Sequence, residues 1–191
     1  MMNIVCNVLA LLIIFGAIYL SYSTKILKDP EVDHPQYGKI EMYSFARTQG
    51  LWWTTLIGAC FVIGFGANGE VINLNATCLV LLSIGVGTTA IGGIIDSPKD
   101  DDNITDGVIP QNIFKKRIPH FLRDILSDST GITVYRYQAL IFNLIFSVVF
   151  LVEFLENISN NKMEFPVFEK ETLGLMGISA ATYLGMKANE K

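Results

Sequence analysis

The second half of this chain repeats a pattern of the first half, and the repeat constrains the fold more than any other feature. Arg47-x-Gln49 opens one apolar stretch, and Arg136-x-Gln138 opens another 89 positions later. A polar gap follows each stretch, and then a second apolar stretch begins. The second stretches, Leu81–Thr88 and Leu175–Thr182, match at an offset of 94 positions, so five extra residues lie in a gap, where loops accept insertions. The pattern predicts a duplicated helical hairpin.

The composition places these hairpins in a membrane. The chain of 191 residues is 51% hydrophobic, with a mean hydropathy of +0.42, more apolar than an ordinary soluble domain. A helix that crosses a bilayer needs roughly 20 apolar residues, with about 17 sufficient. We therefore predict an all-α polytopic membrane protein with five transmembrane helices, an N-terminal helix followed by a tandem parallel repeat of helical hairpins. The five apolar stretches are Ile4–Leu20, Leu51–Phe65, Ala76–Ile95, Ala139–Leu155 and Thr172–Met186.

The first stretch has an alternative interpretation, a cleaved signal peptide. Its start, Met1-Met2-Asn3, has no basic residue, and Ser21-Tyr22-Ser23 is a poor cleavage site. A retained helix is therefore favoured. The last stretch is short, and its match to Ala76–Ile95 is the main reason for counting it as a span.

The basic residues predict the orientation. In a five-span arrangement one side of the membrane carries only Lys162 and Lys170. Short loops rich in Lys and Arg remain in the cytoplasm, which places the N-terminus outside and the C-terminus inside. Twelve basic residues lie on the predicted cytoplasmic side: Lys25, Lys28, Lys39, Arg47, Lys99, Lys115, Lys116, Arg117, Arg123, Arg136, Lys187 and Lys191.

These assignments give a single membrane domain over residues 1–191. An even number of spans separates the equivalent helices, so both hairpins insert in the same direction, unlike the inverted repeats of many secondary transporters. This parallel repeat favours a bundle or ring of like hairpins over a rocking carrier. The predicted parts are a first helix at 4–20, hairpin one at 47–96, a cytoplasmic loop at 97–135 and hairpin two at 136–190.

The cytoplasmic segments carry two further predictions. Residues 21–44, with Pro30 and Pro35, are predicted to form an irregular polar loop. In the loop between the hairpins, Ile118, Phe121, Leu122, Ile125 and Leu126 share one helical face, with Pro119 in the first turn. We predict an amphipathic helix on anionic lipids of the inner leaflet, with Lys115, Lys116, Arg117 and Arg123 at the membrane surface.

Small residues recur every four positions on both descending helices. Such spacing lets helix backbones approach closely in lipid. A helix with a small face and a separate hydroxyl face has partners on both sides, which in a five-span chain predicts a homo-oligomer. The predicted packing residues are Gly85, Thr89 and Gly93 on the first descending helix and Gly177, Ala181 and Gly185 on the second.

The hydroxyl face supplies the candidate pore lining. Thr88, Ser179 and Thr182 form a possible pore-lining or polar face. The alternative is that each hydroxyl hydrogen-bonds the carbonyl of the preceding turn and has no further role.

Charged and amide residues gather at the predicted cytoplasmic mouth of the hairpins. Arg47 and Arg136 are interpreted as snorkelling to headgroups, or else as pairing with Asp96 and Glu190 to clasp each hairpin. The residues of this predicted mouth are Arg47, Gln49, Asp96, Arg136 and Gln138.

Other polar residues give weaker signals. Asn143 lies inside a predicted span, where an amide needs a partner, so we predict that it hydrogen-bonds between helices. Glu153 is interpreted as an exposed residue near the outer surface, and the three cysteines as packing residues. The two histidines, His34 and His120, lie in separate loops without a nucleophile motif. We therefore predict no enzyme activity, cofactor, metal or nucleic-acid partner.

Four segments carry a resemblance to a family. Over Tyr43 to Gly185 the chain resembles a group of uncharacterised bacterial inner-membrane proteins. The resemblance implies a bacterial inner membrane and transfers no activity. The segments are Tyr43-Ser-Phe-Ala-Arg47-Thr-Gln49, Leu81–Thr88 ending in Asp96-Ser97, Phe121-Leu-Arg123-Asp-Ile-Leu-Ser-Asp128, and Leu175–Gly185.

Two functions are consistent with this architecture. The first is a homo-oligomeric assembly that forms a channel or pore, gated by the cytoplasmic loop. The second is a non-conducting scaffold or sensor subunit whose loop binds a cytoplasmic protein partner or anionic lipid.

Overall fold

The computed structural model of the protein describes residues 1–29, 32–34, 38–96, 120–128 and 131–189. This part of the chain is helical, with two short antiparallel strand pairs. The helices are α1 (Met2–Ser23), α2 (Phe45–Asn68), α3 (Ala76–Asp96), α4 (Phe121–Leu126), α5 (Val134–Ser159) and α6 (Lys170–Asn189). The strands are β1 (Val32–His34), β2 (Gly38–Ile40), β3 (Ser127–Asp128) and β4 (Gly131–Ile132), with β1 paired to β2 and β3 paired to β4. The all-α class predicted from the sequence is confirmed.

Local side chains and turn residues set the helix ends in the first hairpin. α2 stops at Gly69, whose left-handed backbone (φ 77°) lets its N–H donate to the Phe65 carbonyl. α3 begins after Asn75, whose Oδ1 accepts a hydrogen bond from the Cys78 N–H at 3.0 Å, as an N-cap side chain does. These two ends leave a short turn between α2 and α3.

Three of the described helices, α1, α2 and α5, are long and apolar enough to cross a membrane. α3 adds a shorter apolar stretch at Ala76–Ile91. Large apolar side chains point away from the protein along these helices, for example Leu12 at 61% exposure on α1 and Val148 at 62% on α5. Contiguous apolar surface of this kind suits contact with lipid.

Neighbouring helices in the chain run antiparallel. The start of α1 lies beside the end of α2, where a Cβ added at Gly66 would come 2.5 Å from the Cys6 Cβ. The start of α2 lies beside the second half of α3, where a Cβ added at Gly85 would come 3.0 Å from the Gly50 Cα. α5 and α6 are antiparallel as well, because Phe150 packs against Phe168 just before α6, while Ala139 near the start of α5 shares a cluster with Tyr183 near the end of α6.

α2 and α5 run in the same direction. The Gln49 side chain bonds Asn143 in the first half of both helices, and the rings of Trp53 and Phe150, one turn further along α2 and two turns further along α5, pack edge to face 6.1 Å apart. The contacts advance toward the C-terminal ends of both helices together, so the two helices are parallel. α6 lies against α3 and α5, which closes the bundle.

Two buried clusters fill the bundle. The aromatic cluster extends from its middle toward the α2–α3 turn. The basic-end cluster packs the starts of α2 and α5, α4 and the end of α6. The aromatic cluster comprises Trp53, Ile57, Cys60, Ile72, Cys78, Leu81, Phe150, Phe154, Phe165, Phe168 and Met176, and the basic-end cluster comprises Phe45, Ala46, Ile125, Ala139 and Tyr183.

The linker between α1 and α2 is more regular than the polar loop that was expected. β1 and β2 form a short antiparallel pair within it. Backbone bonds from Asp29 N to Met42 O (2.9 Å) and from Ser44 N to Leu27 O (2.7 Å) hold its two ends together. Because these bonds are between backbone atoms, the composition of the segment gave no indication of them.

Candidate functional site

A group of polar side chains joins α2 to α5. The Asn143 Oδ1 accepts hydrogen bonds from Trp53 Nε1 at 2.8 Å and from Gln49 Nε2 at 3.1 Å. Beside it, Trp52 Nε1 donates to Ser147 Oγ at 2.6 Å. We call these five side chains the polar junction. Asn143 links two helices, as predicted, and both tryptophan N–H groups are bonded.

The polar junction borders a small cavity. Its volume is about 10 Å³, and Gln49 and Asn143 line it together with Ser179 of α6. The other walls are apolar: Ala139, Phe142, Met176 and Ala180. Three helices therefore meet at a polar point surrounded by apolar side chains.

The predicted packing residues of α3 contact α2 of the same hairpin. Gly85 lies against Gly50, and the Thr89 Oγ1 donates to the Ala46 carbonyl at 3.0 Å and to the Gly85 carbonyl at 2.9 Å. These two residues therefore bring two helices of one chain together. The surroundings of Gly93 lie outside the described residues.

The predicted packing residues of α6 face outward. A Cβ added at Gly177 or Gly185 would meet no described atom within 4 Å, and Ala181 is exposed. The matching positions on α3, Ser83 and Gly87, are likewise exposed or open. The small residues Gly85 and Thr89 of α3 thus pack on α2, whereas those of α6 contact no other described helix.

The three predicted pore-face hydroxyls have three different environments. Thr88 is buried and donates to the Ile84 carbonyl. Thr182 is exposed and donates to the Ile178 carbonyl at 2.9 Å, and Ser179 is half-buried at the small cavity. Both threonine hydroxyls therefore bond the carbonyl of the preceding turn, which was the alternative to a pore lining. Of the two, Thr182 is also exposed.

The residues of the predicted cytoplasmic mouth also lie in different environments. The Arg47 Nε lies 3.7 Å from the Asp29 Oδ1. Arg136 is buried, with its guanidinium carbon 5.2 Å from the ring centre of Tyr183 and 6.0 Å from that of Tyr135. The side chains of Asp96 and Glu190 lie outside the described residues, so both clasps stay predictions.

The two repeated glutamines differ. Gln49 is buried in the polar junction, whereas Gln138 is exposed. The equivalent positions therefore have different roles in the two hairpins.

Within the segment predicted to form an interfacial helix, the structure has the helix α4, which covers about one turn and a half. Ile125 is buried in the basic-end cluster, while Phe121, Leu122 and Arg123 are exposed. Part of the predicted apolar face therefore packs on protein. Ile118, Lys115, Lys116 and Arg117 lie outside the described residues.

Sequence reasoning found Asn143 but missed its partners. Gln49 and Trp53 are four residues apart on α2, and Asn143 and Ser147 are four residues apart on α5. Residues at this spacing share a helical face. The sequence therefore offered a signal for the junction: each of the two helices carries a pair of hydrogen-bonding side chains on one face. Gly50, which faces Gly85, was missed because one glycine near a helix start gives no pattern.

Within the residues that the structure describes, no three His, Cys, Asp or Glu side chains lie close enough together to hold a metal ion. The described features are thus those of helix packing and hydrogen bonding. Comparisons of the chain with protein-family models, with curated proteins and with solved structures find no match.

Proposed function

We propose that this chain is an integral membrane protein that crosses the bilayer five times, assembles with copies of itself through α6 and forms a channel between the subunits. The observation that carries the proposal is the outward small-residue face of α6, at Gly177, Ala181 and Gly185. In lipid, helices associate by close packing at such faces. Thr182 lies exposed beside it.

The length and placement of α3 and α6 support five spans. α3 has 21 residues and α6 has 20, which at about 1.5 Å per residue suffices for a hydrocarbon core of about 30 Å. Each lies antiparallel to a neighbour that is long and apolar enough to span. A helix packed along a spanning neighbour and ending at the same two levels belongs in the same layer.

The same arrangement supports the parallel repeat and the orientation. The contacts of α2 with α5 advance in the same direction along both helices, as expected for a parallel repeat. Lys25, Lys28, Arg47, Arg123 and Arg136 all lie at the end of the bundle that holds the basic-end cluster. With this end in the cytoplasm, the N-terminus is outside and the C-terminus inside. The resemblance over Tyr43 to Gly185 supports a bacterial inner membrane as the location.

Packing inside the chain argues for a path between subunits. The aromatic cluster fills the bundle with side chains such as Trp53, Phe150 and Phe154, each 0% exposed. A chain packed in this way leaves no continuous passage through these residues. An assembly built on α6 would instead place Thr182 at an interface where polar groups can line a pore.

A non-conducting scaffold is the second candidate. A packed interior without a passage through the chain is also what a non-conducting subunit would have. In that role, the loop at 97–135 would recruit a cytoplasmic protein or anionic lipid through its basic residues. Conduction by the purified protein separates the two candidates.

The assembly is tested by Ala181→Phe, with Leu12→Phe on the exposed side of α1 as the matched control. We expect Ala181→Phe to reduce the assembly to single chains while thermal unfolding in detergent stays unchanged, because the new ring meets no residue of its own chain. Light scattering on the detergent-solubilised protein reads the mass. An unchanged mass for Ala181→Phe would rule out the α6 interface.

Conduction is tested with the purified protein in liposomes. We expect ion flux that Thr182→Trp reduces several-fold and Tyr22→Trp, an exposed position near the end of α1, leaves unchanged. Liposomes that stay as tight as empty ones, with the oligomer intact, would establish the scaffold in place of the channel.

A further inference from the structure

The direction of the amides in the polar junction follows from Trp53. An indole N–H can only donate, so the Asn143 atom 2.8 Å from Trp53 Nε1 must be the amide oxygen. The Asn143 amide nitrogen then donates to the Ala139 carbonyl at 2.8 Å. The Gln49 atom that approaches the same Asn143 oxygen must therefore be its NH₂ group. A flipped Gln49 amide would bring two acceptors together.

This direction leaves the Gln49 carbonyl oxygen pointing away from Asn143. Gln49 is 6% exposed, and its Oε1 has no hydrogen-bond partner among the described residues. Near a membrane core, a buried acceptor without a partner destabilises the folded protein. The Gln49 side chain lines the small cavity, which Ser179 lines from α6. The site therefore has a buried acceptor, a hydroxyl and space beside them.

We infer that one water molecule binds in this cavity and bridges the Gln49 carbonyl of α2 to the Ser179 hydroxyl of α6. The cavity leaves about 10 Å³ for the centre of a water molecule, which matches a single water. Such a water binds where two or more polar partners converge. The remaining walls are Ala139, Phe142, Met176 and Ala180, without a carboxylate. A neutral ligand suits such walls, because a cation there would have no charge to pair with.

This water would be the one polar link between α6 and α2 at this site. α5 is already bonded to α2 through Asn143, whereas the α6 wall offers Ser179. The inference is independent of the proposed channel, because it concerns the packing inside a single chain.

The test is a double-mutant cycle on the full chain in detergent. Ala180→Val fills the cavity, and Gln49→Met removes the carbonyl while keeping nearly the same side-chain volume. We expect Ala180→Val to raise the unfolding equilibrium constant on the order of tenfold when Gln49 is present, because the displaced water leaves the carbonyl without a partner. In the Gln49→Met background the effect on this equilibrium constant should be smaller by about the same factor, because no carbonyl is left without a partner, and any overpacking is common to both backgrounds and cancels in the comparison.

Equal effects of Ala180→Val in the two backgrounds would overturn the inference. A map that resolves ordered water gives a second readout. We expect spherical density about 2.7–3.0 Å from the Gln49 Oε1 in the unmodified protein and its loss in Ala180→Val. Density in which the Ser179 hydroxyl contacts Gln49 directly would also overturn it. So would stabilisation by ammonium chloride over sodium chloride at equal ionic strength, which would identify a cation.

Discussion

One oxygen of Asn143 accepts hydrogen bonds from two buried donors. Trp53 is fully buried and Gln49 nearly so, and both direct their N–H groups at this atom. The amide is small enough to sit between two parallel helices and has one oxygen to accept both bonds. At the residue scale, this atom holds α2 and α5 in register.

Replacing Asn143 with leucine should therefore destabilise the protein by about 2 kcal/mol or more, because two buried donors lose their acceptor while the side chain keeps its branched shape. Unfolding of the purified protein in mixed detergent measures the change. Ser83→Ala is the control, since that exposed hydroxyl donates only to the Leu79 carbonyl of its own helix. Equal stability of the two variants would contradict the assigned role of Asn143.

At the scale of helices, α2 and α3 owe their close approach to two glycines. The Gly85 position leaves 3.0 Å between an added Cβ and the Gly50 Cα, which is tighter than ordinary packing. On the same helix, a Cβ at Gly87 would meet no described atom within 4 Å. One helix thus carries a tight site and an open site two residues apart.

Gly85→Val should separate α2 from α3 and destabilise the protein by about 1–3 kcal/mol more than Gly87→Val. Both substitutions put a β-branched residue in place of a helical glycine, so their intrinsic effects on the helix cancel in the comparison. Thermal unfolding of the two purified variants measures the difference. If Gly87→Val proved as damaging, the helix contact would not be the cause.

Much of this level of structure could be predicted from the sequence, and the exceptions have physical causes. Apolar runs located α1, α2, α3, α5 and α6 to within a few residues, because lipid demands long apolar helices. Small residues identified Gly85 as a packing position. The pattern could not tell that Gly85 faces α2 while Gly177 faces outward, because spacing along one helix does not specify which neighbour lies opposite. For the same reason, the pattern could not tell that Gln49 is buried and Gln138 exposed.

The whole molecule has two chemically different ends. Basic residues lie beside the basic-end cluster, and the opposite end carries the α2–α3 turn and Lys162. The three cysteines, Cys6, Cys60 and Cys78, are all buried. A cysteine introduced at an exposed site is therefore the main target for a thiol reagent.

We expect Lys162→Cys to react with a membrane-impermeant maleimide in intact cells, and Tyr22→Cys to react only after the membrane is opened. Lys162 is exposed at one end of the bundle and Tyr22 is 89% exposed at the other. Mass shift of the purified protein measures labelling, and the unmodified chain is the control. Reaction of both positions from the same side would refute the proposed topology.

α1 packs mainly on α2 and turns the rest of its circumference outward. In a ring built on α6 this helix would form part of the rim, and the start of every chain would lie on a circle wider than the ring of α6 helices. Fluorescent proteins fused before Met1 would then report the diameter of the assembly by energy transfer without touching a subunit contact.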